Sequence, residues 1–232
     1  MTDPAFDKAD QTISQPRNAD RDDDTIDFGF RTIQRADKAR MVRGVFDSVA
    51  DRYDIMNDVM SGGIHRLWKA AMIDWIAPQP HQKLIDIASG TGDISLRFLR
   101  GGGGEACITD INHTMLKAGR ERRDLQRLAH RLSWCVANAE SLPFDDHSAD
   151  FVTIAFGLRN ITDRQAALHE AYRILKPGGR FLCLEFSHVQ SRPLAKLYDS
   201  FSFNILPVMG QIIAGDANSY RYLAESVRTF PS

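Results

Sequence analysis

The sequence predicts an α/β fold: a doubly wound, mostly parallel sheet preceded by a helical segment. Three observations carry this. Five short apolar runs lack polar alternation, as parallel strands covered on both faces do. Helical stretches separate them. A glycine turn follows the first run, where such folds meet their ligands.

Residues 1–27 hold eight aspartates against Lys8, Arg17 and Arg21 and few large apolar side chains. They cannot bury enough surface to offset their ordering entropy and read as a solvated, disordered tail. Residues 28–80 read as an N-terminal helical lid. Met41, Val42, Val45, Phe46, Val49 and Tyr53 recur at helical spacing from Lys38 onward, and a second helix over Leu67–Ile76 ends before Pro78 and Pro80. Residues 81–232 carry the sheet. Its strands are Lys83–Ala88, Ala106–Thr109, Leu132–Val136, Phe151–Ala155 and Arg180–Glu185, with helices over 93–100, 113–129 and 163–175. Gly101–Gly104 is a flexible connection. Beyond 188 the chain reads as helices and loops, with helices at Leu194–Asn204 and Ser219–Val227 and no closing strand pair.

Composition narrows the function. The 232 residues are 43% hydrophobic, 25% charged and 9% aromatic, an ordinary globular balance. A net charge of -1 gives no chain-wide drive toward a nucleic-acid backbone. Cys107, Cys135 and Cys183 are far apart and sit in apolar runs, so they suggest neither disulfides nor a metal site, and reduced thiols in a cytoplasmic protein are expected. No run approaches the roughly 20 apolar residues of a membrane span, and the acidic start is unlike a signal peptide.

The first strand leads through Asp86 into Gly90-Thr91-Gly92-Asp93 and a helix. Glycines allow a ligand close to the backbone, and a helix N-terminus offers unpaired N–H groups to a carboxylate or phosphate. A purely structural turn has the same spacing. Asp110, at the end of the second strand, suits ribose hydroxyls. Asp86 suits a cationic ligand better than a pyrophosphate, or else is a carboxylate satisfied by nearby N–H groups. Asn138-Ala139-Glu140 follows the third strand; Asn138 suits an adenine edge, and an Asx-turn is its plain alternative. Lys176-Pro177-Gly178-Gly179 needs no role beyond a turn.

Asp86-x-x-x-Gly90-x-Gly92, Asp110, Asn138–Phe144 and Leu175–Gly179 together resemble a class I S-adenosylmethionine-dependent methyltransferase, a Rossmann-like fold. Phe46–Asn57, His65–Lys69, Phe156–Asn160, Leu184–Phe186 and Asp216–Leu223 more closely resemble the UbiE family of ubiquinone and menaquinone C-methyltransferases, over about Phe28 to Ser232. The resemblance implies S-adenosyl-L-methionine as cofactor, bound by Asp86, Gly90, Thr91 (methionine end), Gly92, Asp110 (ribose), Asn138 and Ala139 (adenine). Ala155 stands where the family often has Ser, so only a backbone contact is expected there. The acceptor implied is a polyprenyl quinol: 2-methoxy-6-polyprenyl-1,4-benzoquinol, demethylmenaquinol or both.

Phe156–Asn160, leaving the fourth strand, should face the transferable methyl. It lacks the Asn-Pro-Pro-Tyr series of base methylases, a cysteine nucleophile and a metal-holding carboxylate, which disfavours nucleic-acid and metal-dependent substrates. Arg159 is expected to stabilise the developing phenolate while Asn160 and Tyr53 orient the ring; Arg159 as a structural clamp on a loop carboxylate stays open. His65 is the nearest candidate base, with a plain helix-terminal role as its alternative. The Met41–Met60 segment is expected to act as a lid. Arg31, Arg35, Lys38, Arg40 and Arg43 suggest peripheral contact with an anionic membrane face, and Arg120, Arg122, Arg123, Arg127 and Arg131 form a second cluster; both also fit solvated faces. Members of the family usually continue past the position of Ser232 with a helix and two strands, so either the sequence is a fragment, or helices shield the sheet edge, or an oligomeric partner does, in a homodimer or a quinone-biosynthesis complex. A catalytically impaired cofactor-binding subunit is the second functional reading, and an NAD-dependent enzyme a distant third.

Overall fold

The computed structural model describes residues 24–50, 53–187, 191, 193, 198 and 200–231. Its centre is a five-stranded sheet, every pairing parallel, in the order β5-β4-β3-β6-β7. The strands are β3 (Lys83–Ile87), β4 (Glu105–Asp110), β5 (Leu132–Val136), β6 (Ala149–Ala155) and β7 (Leu175–Leu184). β3 is central, and its run Leu84-Ile85-Asp86-Ile87 is buried on both faces, which is why it carries no polar alternation.

One face is covered by α7 (Arg164–Ile174), whose Ala167, Ala171 and Ile174 pack with Ile85, Val152 and Ile154. The other is covered by α3 (His65–Ile76) and α4 (Asp93–Arg100), through Met72, Ile76, Phe98 and Leu99 against Leu84 and Phe151. Asp163 caps α7 by accepting the Ala166 N–H at 3.0 Å.

The N-terminal helices do not stand alone above the sheet. α1 (Arg35–Val49) and α2 (Tyr53–Ser61) share a core with α8 (Leu206–Ala214) and α9 (Ala217–Thr229), in which Val42, Met56 and Met60 meet Leu206, Tyr220 and Leu223.

Several expectations need correction. The acidic tail is shorter than predicted at its C-terminal end: Asp24 accepts the Arg35 N–H, and Thr25–Phe28 pairs antiparallel with Arg31–Gln34 as β1 and β2. The rest of that tail, 1–23, lies outside the described residues. The helix expected over 113–129 breaks at Arg122, whose backbone is extended, into α5 (His113–Glu121) and α6 (Arg123–Gln126). Lys176-Pro177-Gly178-Gly179 is an irregularity inside β7, since Ala149 pairs with Leu175 while Phe151 pairs with Arg180. Of the helix expected at Leu194–Asn204, residues 194–197 and 199 lie outside the described residues, while Phe201–Ile205 forms a π-helical turn that runs directly into α8. β7 is the sheet's last strand among the described residues.

Candidate active site

A cleft of about 260 Å³ opens at the carboxyl ends of the strands, where strand order reverses between β3 and β6. Both exits at this switch point hold a non-glycine residue in left-handed backbone, Ala88 (φ 48°) and Phe156 (φ 61°). Such residues are uncommon and gather at binding sites. The exits also touch: a Cβ on Gly157 would lie 2.8 Å from the Ala88 methyl.

Along the floor, Asp110 Oδ2 accepts the Gly90 N–H at 2.9 Å and Oδ1 accepts the Asn112 N–H at 2.8 Å. Burial raises its pKa to about 6 against the pull of these bonds. Asn112 caps α5 through Oδ1, and its Nδ2 donates to the Arg43 carbonyl and to Asp47, tying α1 to the strand ends. α1 forms the roof, contributing Ala39, Val42, Arg43 and Phe46 to the wall.

Beside this cleft lies an apolar cavity of about 900 Å³, walled by Met60, Ile64, Trp68, Leu184, Phe186 and Ile205, with Glu185 as its acidic member. Aromatic rings separate the two spaces. Phe156 of the first lies 4.7 Å from Phe186 of the second, and Trp68 meets Phe186 edge-on at 5.9 Å. Lys69, buried, bonds Asp93 at 3.0 Å and places its ammonium 5.9 Å from the Phe156 ring. Asp93 also accepts from Arg97, and the two cations outweigh burial in lowering its pKa.

The sequence profile of the ubiE/COQ5 methyltransferase family matches residues 31–232. The chain belongs to this family. It is 56% identical to the ubiquinone/menaquinone biosynthesis C-methyltransferase UbiE of Cereibacter sphaeroides, over 92% of this chain and 86% of the relative. The protein of the same name from Acidiphilium cryptum is 54% identical over the same shares. Among solved structures, a putative S-adenosyl-L-methionine-dependent methyltransferase from Methanococcus maripaludis is 18% identical with a TM-score of 0.56, covering 73% of this chain and 76% of that one. The [4+2]-cyclase SpnF is 20% identical with a TM-score of 0.53, over 65% and 62%. These two likenesses concern the fold alone.

In this family member Gly90, Asp110, Asn138, Ala139 and Asn160 stand in the cleft wall. Three others support it from beneath. Asp86, 1% exposed, accepts from Ser89 Oγ (2.7 Å), Ser95 Oγ (3.0 Å) and Thr153 Oγ1 (2.7 Å). Burial raises its pKa while these hydroxyls pull it down. Its expected role as a counter-charge in direct contact with a cationic ligand therefore gives way to a scaffold joining β3, the turn and β6. Thr91 Oγ1 accepts from Arg122 at 3.3 Å. Gly92, at φ 84°, packs on β4, where a Cβ would meet Ile108 Cδ1 at 2.7 Å.

Arg159 also needs correction. Its buried guanidinium donates to the Phe156 carbonyl (2.6 Å), to Glu185 Oε1 (2.5 Å) and to Ser226 Oγ (3.2 Å). It clamps the β6 exit to the end of β7 and to α9, the alternative that the sequence left open. Asn160 Oδ1 accepts the Tyr222 hydroxyl at 3.0 Å. The side chain of Tyr53 is outside the described residues. Asn138 forms the Asx-turn through Oδ1, which accepts the Glu140 N–H at 3.1 Å.

In the first basic cluster Lys38 is buried, Arg35 is half-buried, and Arg31, Arg40 and Arg43 are exposed. Lys38, 3% exposed, donates to the Ile161 carbonyl at 3.4 Å, and burial, helped by Arg164, lowers its pKa to about 8. Arg35 pairs with Asp163 and Arg40 with Asp37. Among the described residues no helix is long and apolar enough to cross a membrane. The sequence missed the α1 wall residues and Ala88, because neither a roofing contact nor a left-handed alanine leaves a local pattern.

Proposed function

We propose that this chain transfers the methyl group of S-adenosyl-L-methionine to a ring carbon of a polyprenyl quinol, a benzoquinol of ubiquinone synthesis, a demethylmenaquinol, or both. The observation that carries this reading is the pairing of a cleft at the strand-order reversal with a large apolar cavity, separated only by the Phe156–Phe186 aromatic wall. The names of the relatives above supply the acceptor class.

The residues present fit the cofactor. Asp110, beside the Gly90 turn, would accept the ribose hydroxyls. Asn138 retains its amide donors for an adenine nitrogen while Oδ1 holds the turn, and Ile111, Met115 and Ala139 offer apolar contact. Left-handed Ala88 and nearby Gly90 let the amino-acid portion approach the backbone. When bound, S-adenosyl-L-methionine supplies a methyl group made electrophilic by the adjacent sulfonium.

The chain's own task is to align a nucleophilic ring carbon and exclude water. Methyl transfer disperses charge, so orientation in a dry pocket supplies much of the rate. Phe186 and Trp68 would hold the ring flat beside the wall, Met60 and Ile205 would cover the prenyl chain, and α1 would close the cofactor cleft as a lid. Arg159 acts as a positioning residue through its clamp, and Asn160, fixed by Tyr222, orients an acceptor hydroxyl. The test is incubation of purified chain with methyl-deuterated S-adenosyl-L-methionine and a short-chain demethylated quinol. The expected product is a ring-methylated quinol carrying three deuterons; cofactor binding without product would favour a binding subunit instead.

A further inference from the structure

The apolar cavity beside the cofactor cleft has one charged residue in its wall among the described residues, Glu185. Its side chain is 7% exposed. Placing a carboxylate among apolar groups is costly unless a cation and hydrogen bonds compensate it. Here the compensation is uneven. Oε1 accepts from Arg159 Nη1 at 2.5 Å and from the Phe186 N–H at 3.0 Å. Among the described residues Oε2 accepts only the Arg159 backbone N–H, at a long 3.3 Å. An ionised carboxylate has about four lone-pair positions on its two oxygens, so Oε2 keeps capacity for a hydroxyl donor. Such a charge-assisted bond is among the stronger hydrogen bonds.

The same bonds fix where this carboxylate stands. Arg159 Nη1 spans Glu185 Oε1 and the Phe156 carbonyl, the latter at 2.6 Å, while the Phe186 N–H holds Oε1 directly. Phe156 and Phe186 carry the two rings, 4.7 Å apart, that separate the cofactor cleft from the cavity. The carboxylate is thus tied to the backbone of both wall residues. Other polar groups are less suited. Ser61 also lines the cavity, but its hydroxyl donates to the Asn57 carbonyl at 2.8 Å and accepts the His65 N–H at 3.3 Å. His65, the base that the sequence suggested, is 3% exposed, bonds Asp58 at 2.8 Å and lines neither space.

We propose that Glu185 Oε2 accepts a hydrogen bond from the quinol hydroxyl next to the methylated carbon, and takes its proton during methyl transfer. This rests on the quinol reading above. Arg159 then has a second task beyond its clamp, because it supplies the counter-charge that lets a carboxylate stand in an apolar wall.

A phenol is far less acidic than a carboxylic acid, so the proton moves with carbon attack and not before it. The ortho carbon forms the new C–CH3 bond as the methyl–sulfur bond breaks, its electrons staying on sulfur as a thioether. The oxygen electron pair becomes a C=O, which turns the hydroxyl strongly acidic, and its proton passes to Oε2. The ring proton at the methylated carbon then leaves to water, its bond electrons restore the aromatic ring, and Glu185 returns its proton to the oxygen. The net change is one methyl gained and one proton released, with no oxidant required.

The experiment measures kcat/KM for wild type, Glu185→Gln and Glu185→Asp on an ordinary quinol and on a more acidic halogenated one, with cofactor affinity by calorimetry. For Glu185→Gln the expected result is about a 100-fold loss with the ordinary quinol. The loss shrinks with the acidic quinol, which gives up its proton to water more readily, and cofactor affinity is unchanged. Glu185→Asp keeps the charge that Arg159 needs but draws the oxygen back, so it should cost about tenfold with the same narrowing. It carries the test if Glu185→Gln does not fold. A rate within twofold of wild type, or an equal loss on both quinols as a purely structural clamp would give, would overturn the proposal. A wild type that binds cofactor but methylates neither quinol would instead overturn the quinol reading itself.

Discussion

The ribose contact proposed for Asp110 ties the protonation of one carboxyl group to cofactor affinity. The group is held between the Gly90 and Asn112 N–H groups, and burial brings its pKa to about 6. Only the ionised form is a pure acceptor for two ribose hydroxyls, so the affinity should track its ionised fraction. At pH 7.5 nearly all of it is charged; at pH 5, one unit below its pKa, about one-tenth is. The apparent Kd for S-adenosyl-L-methionine should therefore rise about tenfold between these pH values, about 1.4 kcal/mol. Asp110→Asn removes charge-assisted bonds worth about 1.5–3 kcal/mol, so its Kd should be about 10- to 100-fold weaker at pH 7.5 and nearly flat with pH. Isothermal calorimetry at pH 7.5, 6 and 5 reads both effects. A wild-type Kd that is constant over this range, or an Asn variant that keeps the wild-type slope, would refute the reasoning.

Two further outcomes follow from buried charges. Arg159→Met leaves the Glu185 carboxylate buried without its partner and should cost about 3–5 kcal/mol in urea unfolding, while adding Glu185→Leu should recover most of the loss. Lys38, with a folded pKa of about 8 against an ordinary 10.5, binds fewer protons folded than unfolded between those values. Stability should consequently rise with pH across that window, by at most about 3 kcal/mol, and Lys38→Met should abolish the rise without lowering stability at pH 7.

The middle of the sheet was readable because β3 is buried on both faces, and the edge strand Leu132–Val136 and the helix over 93–100 also coincide with their predicted limits, their apolar residues being bounded by polar ones. Where an element carries few apolar residues or only apolar ones, the pattern fails. β2, Arg31-Thr32-Ile33-Gln34, has one apolar residue and no strand signature. α8 is so apolar, with proline in its first turn, that periodicity does not distinguish it. The Arg122 break follows a backbone change that no proline or glycine at that position marks.

In the site, spacing located the Gly90 turn and Asp110, because a tight turn and a strand end are local features. Which way a side chain faces is tertiary. Asp86 turns to three hydroxyls, one of them 67 residues away, and Arg159, expected on the acceptor's phenolate, turns to Glu185. The place of Glu185 beside the Phe156–Phe186 wall likewise appears only once β6 and β7 are paired.

The most direct measurement is mass spectrometry of quinones extracted from cells that lack their own quinone C-methylase and express this chain in soluble form. The account predicts restored ring-methylated ubiquinone, menaquinone or both, which would also name the acceptor. Persistent demethylated precursor, with the chain present and still binding S-adenosyl-L-methionine, would contradict it.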